Sequence, residues 1–95
     1  SDIMKKVATI SDVFPWVLKQ YRHQAGLTQE QVSERVGVSP SFVGMLETGL
    51  KKPNLAMLFK LSQALGVPAS TMVTTLEEEW RRRAAQAQPM ENKRH

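Results

Sequence analysis

The feature that most constrains this chain is its punctuation. Four of its five glycines stand where a helical apolar pattern stops, and a helix-starting residue follows each within a few positions. Apolar residues recur at spacings of three and four, and no period-two run is flanked by hairpin turns, so the expected fold is all-α. A first helix, capped by Ser11 and Asp12 with Pro15 tolerated in its first turn, presents Val13 or Phe14, Val17, Leu18, Tyr21 and Ala25 to the core and ends at Gly26. Thr28, three residues before Gln31, has capping-box spacing and starts a short second helix with Val32 and Val36 inward, closed by Gly37. Ser39 and Pro40 start a third, which buries Val43 and Leu46 and closes at Gly49. After the polar link from Leu50 to Pro53, Asn54 caps a fourth whose inward stripe is Leu55, Leu58, Leu61 and Leu65, ending at Gly66.

Pro68 opens a fifth helix that runs long. Glu77, Glu78 and Glu79 each precede Arg81, Arg82 and Arg83 by four residues, the favourable order for helix pairs. Met72, Val73, Leu76, Trp80, Ala84 and Ala87 give that extension an apolar side that something must cover. Gly44 lies inside the third helix, where it costs about 1 kcal/mol relative to alanine, and suggests either close approach of another backbone or simple tolerance. The expected organisation is a flexible arm over 1–10, a folded domain over 11–73, a helical extension over 74–88 and a disordered tail over 89–95.

At 95 residues the chain is one small domain, and a domain this size buries only ~60% of its unfolded surface, so pairing with a second copy is attractive. Without cysteine there is no disulfide framework, thiolate nucleophile or Cys-ligated zinc. Apolar stretches fall far short of a membrane span and no basic-then-apolar leader opens the sequence, so the expectation is a soluble, cytoplasmic protein with no membrane partner. The net charge of +4 permits a polyanionic partner without identifying one. His23 and His95 have no second donor at ligand spacing, and the Gly49 to Lys52 segment lacks the first glycine and the Ser or Thr of a phosphate loop. No catalytic constellation, metal site or cofactor is expected.

The segment from Thr28 to Thr48 pairs two short helices across a tight glycine turn, an arrangement that lets the second enter a DNA major groove. Arg22, the run from Gly26 to Gln31, Val36-Gly37-Val38-Ser39, Val43, Leu46-Glu47-Thr48-Gly49, Pro53 and Ala64-Leu65-Gly66-Val67 resemble, in order and spacing, the helix-turn-helix family of phage Cro and repressor proteins, also called the xenobiotic-response-element type. The resemblance implies a five-helix, lambda-repressor-like domain that binds double-stranded DNA. It implies that Gln29 grips a phosphate and braces the recognition helix, with Thr28 at the same helix start. It places Ser39, Pro40, Ser41, Phe42, Gly44, Met45 and Thr48 at the bases and flanking phosphates, and Lys51 and Lys52 at the backbone. It assigns Arg22 and Glu47 to a structural salt bridge. The reading face carries no Arg, Asn or Gln, so readout would rely on hydroxyls, on Met45 against a thymine methyl and on DNA shape. Phe42 has a second reading as a half-buried core aromatic.

Two functions follow. The first is a transcriptional regulator, a repressor that binds a palindromic operator as a homodimer through Val67, Met72, Leu76 and Trp80, with Trp80 packing on Trp16 or Phe14 of its own chain as the alternative. The second is a protein-interaction module, such as an antitoxin held by a toxin or a coactivator adapter.

Overall fold

The computed structural model describes residues 9–87 and contains five helices and, among the described residues, no strand: α1 Ile10–Gln24, α2 Gln29–Val36, α3 Pro40–Thr48, α4 Leu55–Leu65 and α5 Ala69–Ala87. Of the expected arm over 1–10, residues 1–8 lie outside the described residues, as does the expected tail over 89–95, while Thr9 and Ile10 are the cap and first residue of α1.

Local chemistry sets the helix starts. Thr28, Ser39 and Asn54 each accept, through the side chain, the backbone N–H three residues on, and so satisfy donors that the first helical turn leaves orphaned. α1 departs from expectation. Its cap is Thr9, which accepts from Asp12 N at 3.2 Å while its own N–H donates to the Asp12 carboxylate at 3.1 Å, so Asp12 closes the box instead of capping. Pro15 consequently lies past the first turn, inside the helix, where its missing N–H leaves one i→i−4 bond unmade. Its ring packs toward the end of α3, 3.7 Å from where a Cβ on Gly49 would sit. Gly49 itself closes α3 at φ 87°, a left-handed conformation that any side chain would strain.

α1 packs on α3 and α5, α2 on α3 and α4, and α4 on α5. Their shared core holds Val13, Phe14, Val17 and Leu18 from α1, Val32 from α2, Val43 and Leu46 from α3, Leu61 and Leu65 from α4, and Met72 and Leu76 from α5. Two expected core positions are on the surface. Leu55 is 72% exposed, because as the first residue of α4 it falls at the edge of the stripe that Leu58, Leu61 and Leu65 complete, and Ala25 is exposed as the C-cap of α1.

The α5 extension is held on α1 by polar contacts. Tyr21 Oη and Thr75 Oγ1 are 2.6 Å apart, and the Arg83 guanidinium lies 5.7 Å from the centre of the Trp16 ring. Glu77 pairs with Arg81 as the ladder expects, but Arg82 and Arg83 both reach Glu79 instead of Glu78 and Glu79 in turn. Glu79 is the acid of the ladder that faces the body of the protein, and hydrogen bonds from Arg82 and Arg83 hold its carboxyl down at about 2 from the ordinary 4.5. Because the folded value is the lower one, the clasp contributes fully above 4.5 and its contribution is lost as pH falls from there through about 2. Glu79→Gln should therefore melt below the wild type at neutral pH, with the gap closing on acid titration. A gap that stays constant would remove the carboxylate's charge from the explanation.

Candidate nucleic-acid interface

α2 and α3 are joined by three residues, with Gly37 in the left-handed region at φ 90° making the turn and Ser39 capping α3 by accepting from Phe42 N at 3.1 Å. Pro40 follows as the first residue of α3, where no hydrogen bond is lost. At the start of α2, Gln31 N donates to Thr28 Oγ1 at 3.0 Å and Thr28 N donates to Gln31 Oε1 at 2.9 Å.

Behind this pair lies one buried carboxylate with three donors. Arg22 Nε donates to Glu47 Oε2 at 2.6 Å and Arg22 Nη2 to Glu47 Oε1 at 3.0 Å, a two-pronged ion pair whose side chains are 11% and 1% exposed. Gln29 Nε2 donates to Glu47 Oε1 at 3.0 Å. An ionised carboxylate only accepts, so this contact fixes which way the Gln29 amide faces. Arg22 Nη1 also donates to the Leu27 carbonyl at 2.9 Å, which ties the loop between α1 and α2 to the same anchor. Burial pushes the Glu47 carboxyl up, but hydrogen bonds from Arg22 and Gln29 and the charges of Arg22 and Lys19 outweigh it, leaving the net shift downward. The three helices that position the reading surface thus meet at one satisfied charge.

On the outer side, Thr28, Gln29, Glu30, Pro40, Ser41 and Gly44 line a shallow concavity between the starts of α2 and α3. Pro40, Ser41 and Thr48 are exposed, and Gly44 and Met45 are half-exposed along the same helix. Nothing crowds Gly44, since a Cβ there would meet only Gln29 Oε1 at 3.6 Å; the expected close backbone approach is absent and its tolerance is the reading that fits. Ser39 and Ser41 place their hydroxyls 3.2 Å apart at the first turn, and Thr48 Oγ1 donates to the Met45 carbonyl at 3.3 Å.

Other expected site residues lie elsewhere. Phe42 is half-buried against the core, next to the inward Val43, and leaves the reading face. Lys51 is exposed just past α3, whereas the exposed Lys52 lines a different concavity beside Ile10, Ser11 and Phe14. Met72 is 0% exposed and Leu76 is buried, while Val67 and Trp80 pack partly buried against the same core. Because α1 already covers that side of α5, Met72 has no surface to lend to a second copy and leaves the expected dimer surface, while Leu76 reaches the outside only as part of the lining of two concavities. The exposed large apolar side chains among the described residues are Ile10, Trp16, Leu50, Leu55, Phe59 and Val73. One cation escaped the sequence reading: Arg35 Nη1 donates to the Ala64 carbonyl at 3.0 Å and so caps the end of α4. No local spacing signals a contact of that sequence separation.

Among the described residues no group of His, Asp and Glu is arranged to hold a metal ion, and no helix is long and apolar enough to cross a membrane. Residues 18–71, more than half of the chain, match the helix-turn-helix family. The chain is 42% identical over 57 residues to an uncharacterized HTH-type transcriptional regulator, y4dJ, of Sinorhizobium fredii, across 60% of this chain and 74% of that protein. It is 37% identical over 57 residues to the HTH-type transcriptional regulator SutR of Escherichia coli, a match that spans 60% of this chain but 32% of SutR. Among solved structures, the clp gene regulator ClgR of Corynebacterium glutamicum superimposes with a TM-score of 0.78 over 84% of this chain and 85% of that one, at 24% identity, a likeness of fold. The chain belongs to the helix-turn-helix family of Cro and repressor type, whose members are DNA-binding proteins and not enzymes.

Proposed function

We propose that this protein is a cytoplasmic, sequence-specific transcriptional regulator, a repressor that binds a palindromic operator as a homodimer with α3 in the major groove. The observation that carries the reading is the Arg22, Glu47 and Gln29 anchor, which holds α2 against α3 and sets Gln29 at the mouth of the concavity. With Nε2 turned to Glu47, the amide keeps a second N–H for a phosphate, beside free backbone donors at the start of α2. Ser41, Met45 and Thr48 then face the base edges, and Lys51 the backbone beyond them. Residues 11–73 form the DNA-binding domain in this reading and 74–88 an extension of it. The relatives' description as transcriptional regulators supports the same function.

Gln29→Ala and Lys51→Ala should weaken binding about tenfold or more on every duplex, and Lys51→Ala should also lower the slope of log affinity against log salt by about 1. Ser41→Ala and Met45→Ala should relax preference at single base pairs, by roughly 1 to 3 kcal/mol of discrimination. Thermal melts control for lost folding. Binding unmoved by all four would sink the reading. A second reading, an antitoxin or coactivator adapter with a toxin or other protein as partner, is favoured by one observation, the exposed Ile10, Leu55, Phe59 and Val73. A salt titration separates the two, since an adapter has no specific DNA complex for salt to dissolve.

A further inference from the structure

Three of the large apolar side chains that the fold leaves uncovered, Ile10, Leu55 and Val73, border one trough. Two neighbouring concavities share Ile10, Leu58 and Leu76 and so form a continuous groove between the start of α1, α4 and α5. Lys52 lines one end of it and Glu77 the other. Leu55 projects beside Lys52, and the exposed Val73 lies beside Glu77.

We propose that a second copy of this chain covers the trough, in a two-fold arrangement that sets Lys52 of each copy against Glu77 of the other. This rests on the homodimer reading above and gives it a surface. An interface between identical copies must be complementary to itself, because the same patch serves on both sides. A trough that is apolar in the middle, cationic at one end and anionic at the other meets that condition. A two-fold axis through Ile10 and Leu58 exchanges its ends, so each charge meets its opposite while the apolar centre is buried against its copy. The same operation carries the projecting Leu55 of one copy toward Val73 of the other.

Both charges are available for this. Lys52 makes no ion pair among the described residues, although Asp12 lies near enough to feel its charge. Among the described residues Glu77 pairs only with Arg81, one turn away on its own helix at 3.0 Å, with both side chains more than half exposed. Exposed pairs of that kind are weak and exchange readily for a better-shielded partner. Lys52 therefore serves the dimer at the trough, while Lys51 is left for the DNA backbone.

Sedimentation of the full chain without DNA tests the interface. The wild type should associate, and Lys52→Glu and Glu77→Lys should each weaken association by about tenfold or more, since like charges then face each other at both ends. The double variant Lys52→Glu with Glu77→Lys should regain most of the loss, which no merely structural role for either residue would give. Leu55→Asp should abolish association while leaving the melt unchanged at concentrations too low for the wild type to associate, because a carboxylate in the first turn of α4 suits the helix while it cannot be buried against a copy. A wild type that stays monomeric, a dimer indifferent to Leu55→Asp, or a double variant without recovery would each overturn the proposal. A monomer that still bound an operator half-site would remove this interface and leave the DNA-binding reading intact.

Discussion

Replacing Glu47 with alanine is expected to destabilise the protein by about 3 to 5 kcal/mol, a large part of the stability of a domain this size. The cost arises less from the ion pair itself than from what its loss strands. Arg22 would keep its charge at a site where its side chain is 11% exposed, with the Leu27 carbonyl and the His23 ring nitrogen at 3.3 Å as its remaining partners, and Gln29 would lose the acceptor that orients it. At this size such a change lowers the melting temperature by roughly 12 °C or more. Arg22→Ala should cost a similar amount for the converse reason, and the double variant should cost much less than the two singles added, because each single already breaks the same unit. A Glu47→Ala protein that melts within a degree or two of the wild type would show that the anchor is dispensable.

The second large effect lies on the apolar side of the recognition helix. Leu46→Ala should cost about 2 to 5 kcal/mol, since Leu46 is fully buried among Val13, Val17, Leu18 and Val43 in a core too small to collapse around the missing methylenes. Leu55→Ala, the same chemical change on the surface, should move stability by about 0.5 kcal/mol or less. Urea denaturation measures both. Because Leu46 sits one turn after Phe42 and beside Met45, its loss should also loosen α3, so that DNA affinity falls even where the protein remains folded. Equal costs for the two leucines would contradict the assignment of inner and outer faces.

What was legible in the sequence was mostly local. Thr28 with Gln31, Ser39 with Pro40, and Asn54 announce helix starts because each cap is completed within three residues. The start of α1 was missed for a local reason as well: Ser11 and Asp12 are both good caps, and Asp12 proved to be the far member of a box begun by Thr9. That earlier start brings Ile10 to the mouth of the trough. The periodicity of α5 showed that one side is apolar but not what covers it, so Met72 pointed to a partner when α1 and α4 of the same chain already enclose it. The approach of Gln29 to Glu47, eighteen residues on, and of Tyr21 to Thr75, fifty-four residues on, depends on how helices stack, which spacing along one helix does not encode. Only the resemblance to a known family singled out Arg22, Glu47 and Gln29, and it did so without revealing that one carboxylate joins all three.

The central claim is that the α2 and α3 pair reads duplex DNA, and selection of bound sequences from random duplexes tests it most directly. The expected result is enrichment of an inverted repeat whose half-sites lie about one helical turn, ~34 Å, apart, with Met45→Ala relaxing the preference at one position in each half-site. Recovery of no enriched sequence by a folded protein, or the same enrichment by a variant carrying Gln29→Ala, Ser41→Ala and Met45→Ala together, would contradict it.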